Sequence, residues 1–261
     1  MSPSSVLSAQ INGREPAADE LLHAALVNYA HFSVMQVRDR STRGLDLHLS
    51  RLVAAHRELF DSELDGEHVR SCLRDAIREH PDCTLRVTCF EIDRGRPLVL
   101  TVVRPPHDNT ARPQSLTTVE YTRPLAHVKH VGMFAQIHFG NAAEHAGFDD
   151  AVLITPDGRI AETTIGNLGF VAADATIVWP DAPQLSGITR QLLDLELERL
   201  GRDVVARPIT PDTLAGYAEA FVTNSTGVAA VARIGDHAFT ADGSGTHWLS
   251  ERYESIPSDA I

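Results

Sequence analysis

Between residues 46 and 60 the chain places Leu49, Leu52, Val53, His56, Leu59 and Phe60 at three- and four-residue intervals, the period of one helix face. Residues 67–80 repeat that period with Val69, Cys72, Leu73, Ala76 and Ile77, and Pro81 stops it. The pattern then changes. "TLRVTCF" (84–90) and "PLVLTVV" (97–103) are β-branched and apolar, with the turn-like "EIDRGR" between them, and predict two paired strands. "RPPHDNTARPQS" (104–115) is polar and proline-rich and predicts a linker. Residues 148–180 alternate and turn at Pro156-Asp157-Gly158 and again near Asp174, the signature of a β-meander. "SGITRQLLDLELERLG" (186–201) predicts an amphipathic helix closed by Gly201, and 219–236 reads as strand, polar turn, strand. The expectation is an α+β fold of two lobes. The smaller, N-terminal α+β lobe covers 1–115 with a linker at about 104–122; a larger β-rich lobe with flanking helices covers 123–261.

Composition narrows the function classes. A chain of 261 residues that is 43% hydrophobic and 22% charged has the balance of an ordinary globular protein. Its formal charge of −12 speaks against nucleic acid or an anionic membrane as main partner, since both favour a basic face. The three cysteines lack metal-site spacing, and the 13 histidines include no HExxH, so no metal is expected. No GxSxG, GxGxxG or Walker-type loop occurs, which argues against a serine hydrolase elbow, a dinucleotide and a nucleoside triphosphate. With no secretion-type leader and no apolar run of membrane length, the expected location is the cytoplasm.

A few positions have the chemistry for catalysis. The 23 basic residues comprise 22 arginines and a single lysine, Lys129. A desolvated lysine amine can condense with a carbonyl; a guanidinium, always protonated and a poor nucleophile, cannot. Thirty-three residues on, "GRIAETTIGN" sets Glu162 in an otherwise apolar or hydroxylic strand, where a carboxylate can face a buried cation such as a protonated pyridine nitrogen. "SGITR" opens a helix, so the amides of Gly187, Ile188 and Thr189 lack intrahelical partners and can hold an anion. "TNSTG" (223–227) can form an anion nest, and Arg51, beside the apolar stripe of its helix, can supply a permanent charge to a phosphate. Each feature also has a plainer reading. The lysine can be drift, Glu162 can face solvent, the helix start and the turn can be only caps, and Arg51 can be a solvated helix cation. Taken one by one, the residues leave both readings open.

Taken together and in this order, Lys129, Glu162, "SGITR" and "TNSTG" resemble the class IV, fold-type IV pyridoxal-phosphate enzymes. That family includes branched-chain and D-amino-acid aminotransferases and 4-amino-4-deoxychorismate lyase. The likeness is most specific over "GFDDAVLITPDGRIAETTIGNLGFV" (147–171). It implies a two-lobed fold-type IV enzyme with pyridoxal 5′-phosphate as cofactor and Lys129 as the Schiff-base lysine. Glu162 would be the partner of the pyridine nitrogen, and Arg51, Ile188, Thr189, Ser225 and Thr226 the phosphate and substrate-carboxylate contacts. It further implies a homodimer, and an aminotransferase that takes a small amino acid or amine as donor and a keto acid as acceptor. A lyase of the aminodeoxychorismate type, releasing pyruvate, is the alternative on the same scaffold, and a non-catalytic cofactor-binding or scaffold module is the alternative of another class. The chain departs from the family where Thr88 runs into Cys89-Phe90 and where Thr-Thr-Ile-Gly-Asn follows Glu162. "NYAHFSVMQVR" (28–38) follows the family's substrate-contacting stretch loosely, which makes Tyr29, His31 and Phe32 the candidate substrate residues.

Overall fold

β-Branched and aromatic runs near the start of the chain form a four-stranded antiparallel sheet, and the two helical periods cover one of its faces. In the computed structural model, which describes residues 6–107, 112–239 and 243–261, the elements run β1 (Ser8–Ile11), α1 (Ala18–Val27), β2 (His31–Val37), β3 (Ser41–Thr42), α2 (Leu45–Phe60), α3 (Gly66–Ala76), β4 (Cys83–Glu91) and β5 (Pro97–Arg104). The sheet order is β1-β5-β4-β2. Alternation sorts the side chains of β2: Met35 and Val37 join Leu45, Leu49 and Leu52 of α2, Val69 and Leu73 of α3 and Leu85 and Val87 of β4 in one core. Cys72, Cys83 and Cys89 are small apolar members of that core.

The next part of the chain builds a second, larger sheet from β6 (Gln114–Glu120), β7 (Asp150–Ile154), β8 (Ile160–Thr163), β9 (Asn167–Ala172), β10 (Ile177–Pro180), β11 (Val204–Arg207), β12 (Tyr217–Asn224), β13 (Gly227–Ile234) and β14 (His237–Ala238). Its helices are α4 (Phe134–His145), α5 (Ile188–Arg199) and α6 (Ser244–Ser255). The order is β11-β10-β9-β12-β13-β6-β7-β8, and β8 pairs again with β9, so six strands close on themselves. Period-2 alternation divides two cores. Leu168, Phe170, Val178, Ala220 and Val222 point to one; Val171, Ile177, Trp179 and Phe221 point to the other, beneath Leu193 and Leu197 of α5 and Leu249 of α6. Gly169 is required where these layers meet, because a Cβ there would lie 2.4 Å from the Phe221 ring and 2.7 Å from Trp179.

The chain ends in β15 (Asp259–Ala260), which pairs with β3. Two compact units result: Met1–Asp108 with Val128–Gly132 and Pro257–Ile261, and Asn109–His127 with Met133–Ile256.

Two expectations need correction. The stretch 104–122 is not all linker: β6 lies inside it, between β13 and β7 and parallel to both. Only Leu116 of that strand is fully buried, so its glutamine, serine, threonines and glutamate disguised a strand as a polar connection. Residues 108–111 of the same stretch lie outside the described residues. In addition Val128–Gly132, and Lys129 with them, pack with the first unit, whereas the sequence reading put them in the second lobe. No helix among the described residues is long and apolar enough to cross a membrane.

Candidate active site

In the first unit, Lys129 is fixed to β2 through its backbone. The Phe32 N–H donates to the Lys129 carbonyl at 2.9 Å and the Val131 N–H to the Ala30 carbonyl at 2.9 Å, an antiparallel bridge centred on His31 and His130. The Lys129 ammonium nitrogen lies 5.0 Å from the centroid of the buried Phe32 ring, within cation–π range. Arg86 places its guanidinium 3.7 Å from the same centroid, and burial lowers its pKa to about 10. Phe32 is therefore a floor beneath two cations.

Arg51 projects from α2 toward β2. Its Nη2 donates to Ser33 Oγ at 2.5 Å, and Ser33 Oγ lies 2.6 Å from His48 Nδ1. Burial alone draws the Arg51 pKa down to about 10, and its buried Nε has no hydrogen-bond partner. A desolvated guanidinium held by a hydroxyl, with a donor unmatched, is an anion-seeking group.

Behind this wall is a buried relay. Ser62 Oγ and the Gly95 N–H donate to Glu91, His56 Nε2 lies 3.2 Å from Glu91 Oε1, and His31 Nε2 lies 3.1 Å from His56 Nδ1. Burial would raise the Glu91 carboxyl, but the hydrogen bonds from Ser62, Gly95 and His56 outweigh it and hold it below the usual range. A carboxylate at one end fixes the direction of the chain: His56 donates to Glu91, His31 donates to His56, and His31 Nδ1 is left a bare, buried acceptor. Burial, then His56 and Arg51, push the His31 pKa down to about 3.

This shift fixes the sign of a pH dependence. A folded pKa below the unfolded one means that stability is intact above about pH 6.5 and drains as pH falls from there toward 3, by on the order of 5 kcal/mol for full protonation. His48, lowered first by burial and then by Arg51 and Lys129, adds to the same trend. The urea midpoint of the wild-type chain should fall between pH 7 and pH 4.5, and His31→Gln should flatten that fall. Parallel slopes for the two proteins would show that His31 does not titrate on unfolding.

In the second unit, β8 presents Glu162, 5% exposed. Arg123 Nε donates to its Oε1 at 2.8 Å and the Leu185 N–H to its Oε2 at 3.2 Å. Arg123, itself buried, also donates to the Ala126 carbonyl, so the carboxylate is gripped at both oxygens by groups that are themselves anchored. Asn167, the register partner of Glu162 on β9, fastens the loop before α5. Helix α5 starts at Ile188 with no side-chain cap and no acidic residue in its first turn, which leaves the positive end of its dipole for an anion. Thr189 Oγ1 donates to the Asn224 carbonyl at 2.6 Å, so the β12–β13 turn is tied to the helix start. In that turn the Thr226 N–H and hydroxyl both donate to Asn224 Oδ1, at 2.8 and 2.6 Å, and buried Thr223 Oγ1 has no partner.

The sequence candidates thus gather in two sets: Lys129, Arg51, His31 and Phe32 in the first unit, and Glu162, Ile188, Thr189, Ser225 and Thr226 in the second. Some roles shift. The Thr189 hydroxyl donates to a carbonyl and both Thr226 donors are used inside the turn, which leaves the helix-start amides and Ser225 for a ligand. His31, 1% exposed, packs on α2 and cannot be touched by a substrate. Tyr29 is half-exposed, its hydroxyl held by the Leu59 carbonyl at 2.8 Å at the far end of α2. Arg123, which grips Glu162, and Asn167, which fastens the loop before α5, are not among the sequence candidates. Arg-Pro at 123–124 carries no spacing signal, although Asn167 stands within the family-like stretch. Among the described residues, no group of three or more His, Cys, Asp or Glu could hold a metal ion.

The first unit thus carries an unmatched buried guanidinium nitrogen and an amine, and the second an uncapped helix start and an oriented buried carboxylate, each a group of a kind that binds part of a phosphate ester on a basic aromatic ring. Comparison with known proteins points the same way. The family model for amino-transferase class IV matches residues 30–234. A Rickettsia felis protein assigned as a branched-chain-amino-acid aminotransferase is 36% identical over 84 residues, 32% of this chain and 29% of that protein. A Thermoproteus uzoniensis branched-chain aminotransferase with norvaline superposes with a TM-score of 0.84 at 18% identity, over 96% of this chain and 94% of that one. A Mycobacterium tuberculosis protein described as a hypothetical aminotransferase, in its PLP-bound form, gives 0.81 at 19% identity, over 95% and 98%. A Legionella pneumophila protein assigned as a 4-amino-4-deoxychorismate lyase gives 0.81 at 19% identity, over 90% and 93%. At such identities the superpositions establish the fold, and the family model establishes the relationship: the chain belongs to the class IV aminotransferases, a family of pyridoxal-phosphate-dependent enzymes.

Proposed function

We propose that this chain is a pyridoxal-phosphate-dependent aminotransferase that moves an amino group from a small amino acid or amine to a keto acid. The observation that carries the reading is Lys129: it is the single side-chain amine of the chain, lies inside the family match, and is fixed to β2 above the Phe32 ring. When bound, the cofactor supplies an aldehyde that condenses with a primary amine and a protonated ring that accepts an electron pair. Lys129 would contribute that amine and, as a free amine, would carry the proton from the substrate Cα to the carbon that bore the aldehyde. Glu162 would accept the N–H of a protonated ring, its own orientation set by Arg123 and Leu185. Arg51 in the first unit, and the Ile188 and Thr189 amides and Ser225 in the second, are the groups that would bind a phosphate. Thr226 shapes the turn that carries Ser225.

Purified protein loaded with the cofactor should convert a member of a panel of L- and D-amino acids and amines to its keto acid when a keto acid acceptor is supplied. Pyruvate release from 4-amino-4-deoxychorismate, with no keto acid acceptor needed, would favour the lyase instead. No product with any amine would leave a cofactor-binding module. Arg51 has its own test. Its loss removes a charge-assisted contact of roughly 1.5–3 kcal/mol, so Arg51→Ala should weaken cofactor binding about ten- to a hundredfold. Inorganic phosphate should compete with the cofactor in the wild type. Unchanged affinity in equilibrium titration would remove Arg51 from the phosphate site.

A further inference from the structure

One side chain in the second unit touches neither end of the proposed cofactor and yet is bonded to the supports of both. Asn167 opens β9, 3% exposed, opposite Glu162. Its Nδ2 donates to the Leu185 carbonyl at 2.6 Å and to Gln184 Oε1 at 3.0 Å. Its Oδ1 accepts the Gly187 N–H at 3.2 Å. Leu185 in turn gives its own N–H to Glu162 Oε2 at 3.2 Å, and Gly187 is the residue from which α5 starts. The path from the buried carboxylate to the helix start is thus Glu162, Leu185, Asn167, Gly187, with a hydrogen bond at every step.

We propose that Asn167 is a positioning residue that locks the ring-end carboxylate and the phosphate-end helix into one rigid frame; the proposal rests on the cofactor reading above. A carboxamide suits this position because it offers two donors and an acceptor on a short stem. Aspartate keeps the acceptor but sets a second oxygen against the Leu185 carbonyl. Serine cannot reach both sides, and glutamine adds a methylene in a filled space. The fit is mutual. A Cβ on residue 187 would lie 2.1 Å from Asn167 Oδ1, so glycine is needed for the amide to come this close. Gly187→Ala is therefore a second way to open the same clasp without touching Asn167.

The test is made on the apo-protein with three probes: inorganic phosphate, pyridoxal (ring without phosphate) and the intact cofactor. Ser225→Ala should weaken the phosphate-bearing probes and spare pyridoxal, and Glu162→Gln should do the reverse. Asn167→Ala should weaken phosphate and pyridoxal together, each by about tenfold, because a buried polar pair is opened at both ends of the path. Gly187→Ala should repeat this pattern, and Asn167→Asp should retain more phosphate affinity than Asn167→Ala because its oxygen still receives the Gly187 N–H. Amide hydrogen exchange at Leu185 and Gly187 should speed up in Asn167→Ala while the α5 interior stays protected. This last measurement needs no ligand. If the wild type binds none of the probes, the cofactor reading fails and the exchange data alone decide the clasp. A folded Asn167→Ala that binds both probes as the wild type does, that loses only one of them, or whose Leu185 and Gly187 amides exchange at the wild-type rate would overturn the proposal. Should Asn167→Ala not fold, Gly187→Ala and Asn167→Asp decide by the same criteria.

Discussion

Borohydride reduction of the cofactor-loaded protein is expected to add one cofactor mass per chain, on the peptide that contains Lys129. The composition makes this result easy to read, since Lys129 is the only side-chain amine and the α-amine of Met1 the only competitor, separable by a peptide map. Lys129→Arg should abolish the adduct and the visible colour and lower turnover by about four orders of magnitude, because a guanidinium neither condenses with an aldehyde nor cycles a proton near neutral pH. The fold should survive. The bridge to β2 uses the backbone carbonyl of residue 129, which any side chain leaves in place, and an arginine retains a cation near the Phe32 ring. A near-wild-type melting temperature with no adduct and no activity is the outcome that assigns the amine. An active, coloured Lys129→Arg protein would overturn the mechanism.

Why Lys129 was legible in the sequence and its neighbours were not follows from what each signal consists of. A residue type used once stands out by counting. Strands β4, β5, β7 to β10, β12 and β13 stood out because β-branched runs and turn residues alternate at short range, and helices α2, α3 and α5 because their apolar stripes recur at one period. Helix α4 carries no such stripe: Phe134 is 83% exposed and Ile137 49%, while Gln136 and Ala143 are buried, so its moment is weak and it went unpredicted. Strand β2 shows the limit at single-residue scale. Tyr29, His31 and Phe32 look alike as polar or aromatic candidates. Which face each takes depends on a register set by pairing with β4, in which His31 faces Cys89 and Phe32 faces Thr88. That register sends His31 toward His56 and sets Phe32 under Lys129. Arg123 and Asn167 are single polar residues whose meaning lies in partners 39 and 18–20 positions away, so no local pattern could announce them.

Glu162→Gln is expected to lower turnover by about a hundredfold while cofactor occupancy falls much less, an effect of the size seen when one preorganised electrostatic group is removed from a reacting centre. The carboxylate receives Arg123 Nε at one oxygen and the Leu185 N–H at the other. A carboxamide can accept only one of these, and its NH2 must face the other donor. The substitution therefore acts twice. It removes the charge that favours a proton on the cofactor ring, and it misaligns the group that remains. Arg123→Met separates the two effects, since it keeps the Glu162 charge and removes one grip. Each substitution leaves one partner of a buried ion pair alone, at a cost of about 3–5 kcal/mol, so both variants should melt below the wild type. If charge is what matters, Arg123→Met should still turn over faster than Glu162→Gln, with both assayed below their melting points. Single-turnover rates at saturating cofactor, with bound phosphate ester measured after gel filtration, distinguish lost chemistry from lost cofactor. A Glu162→Gln rate within a few-fold of the wild type would remove this residue from the mechanism. In that case Glu144, exposed on α4, is the acid to test next.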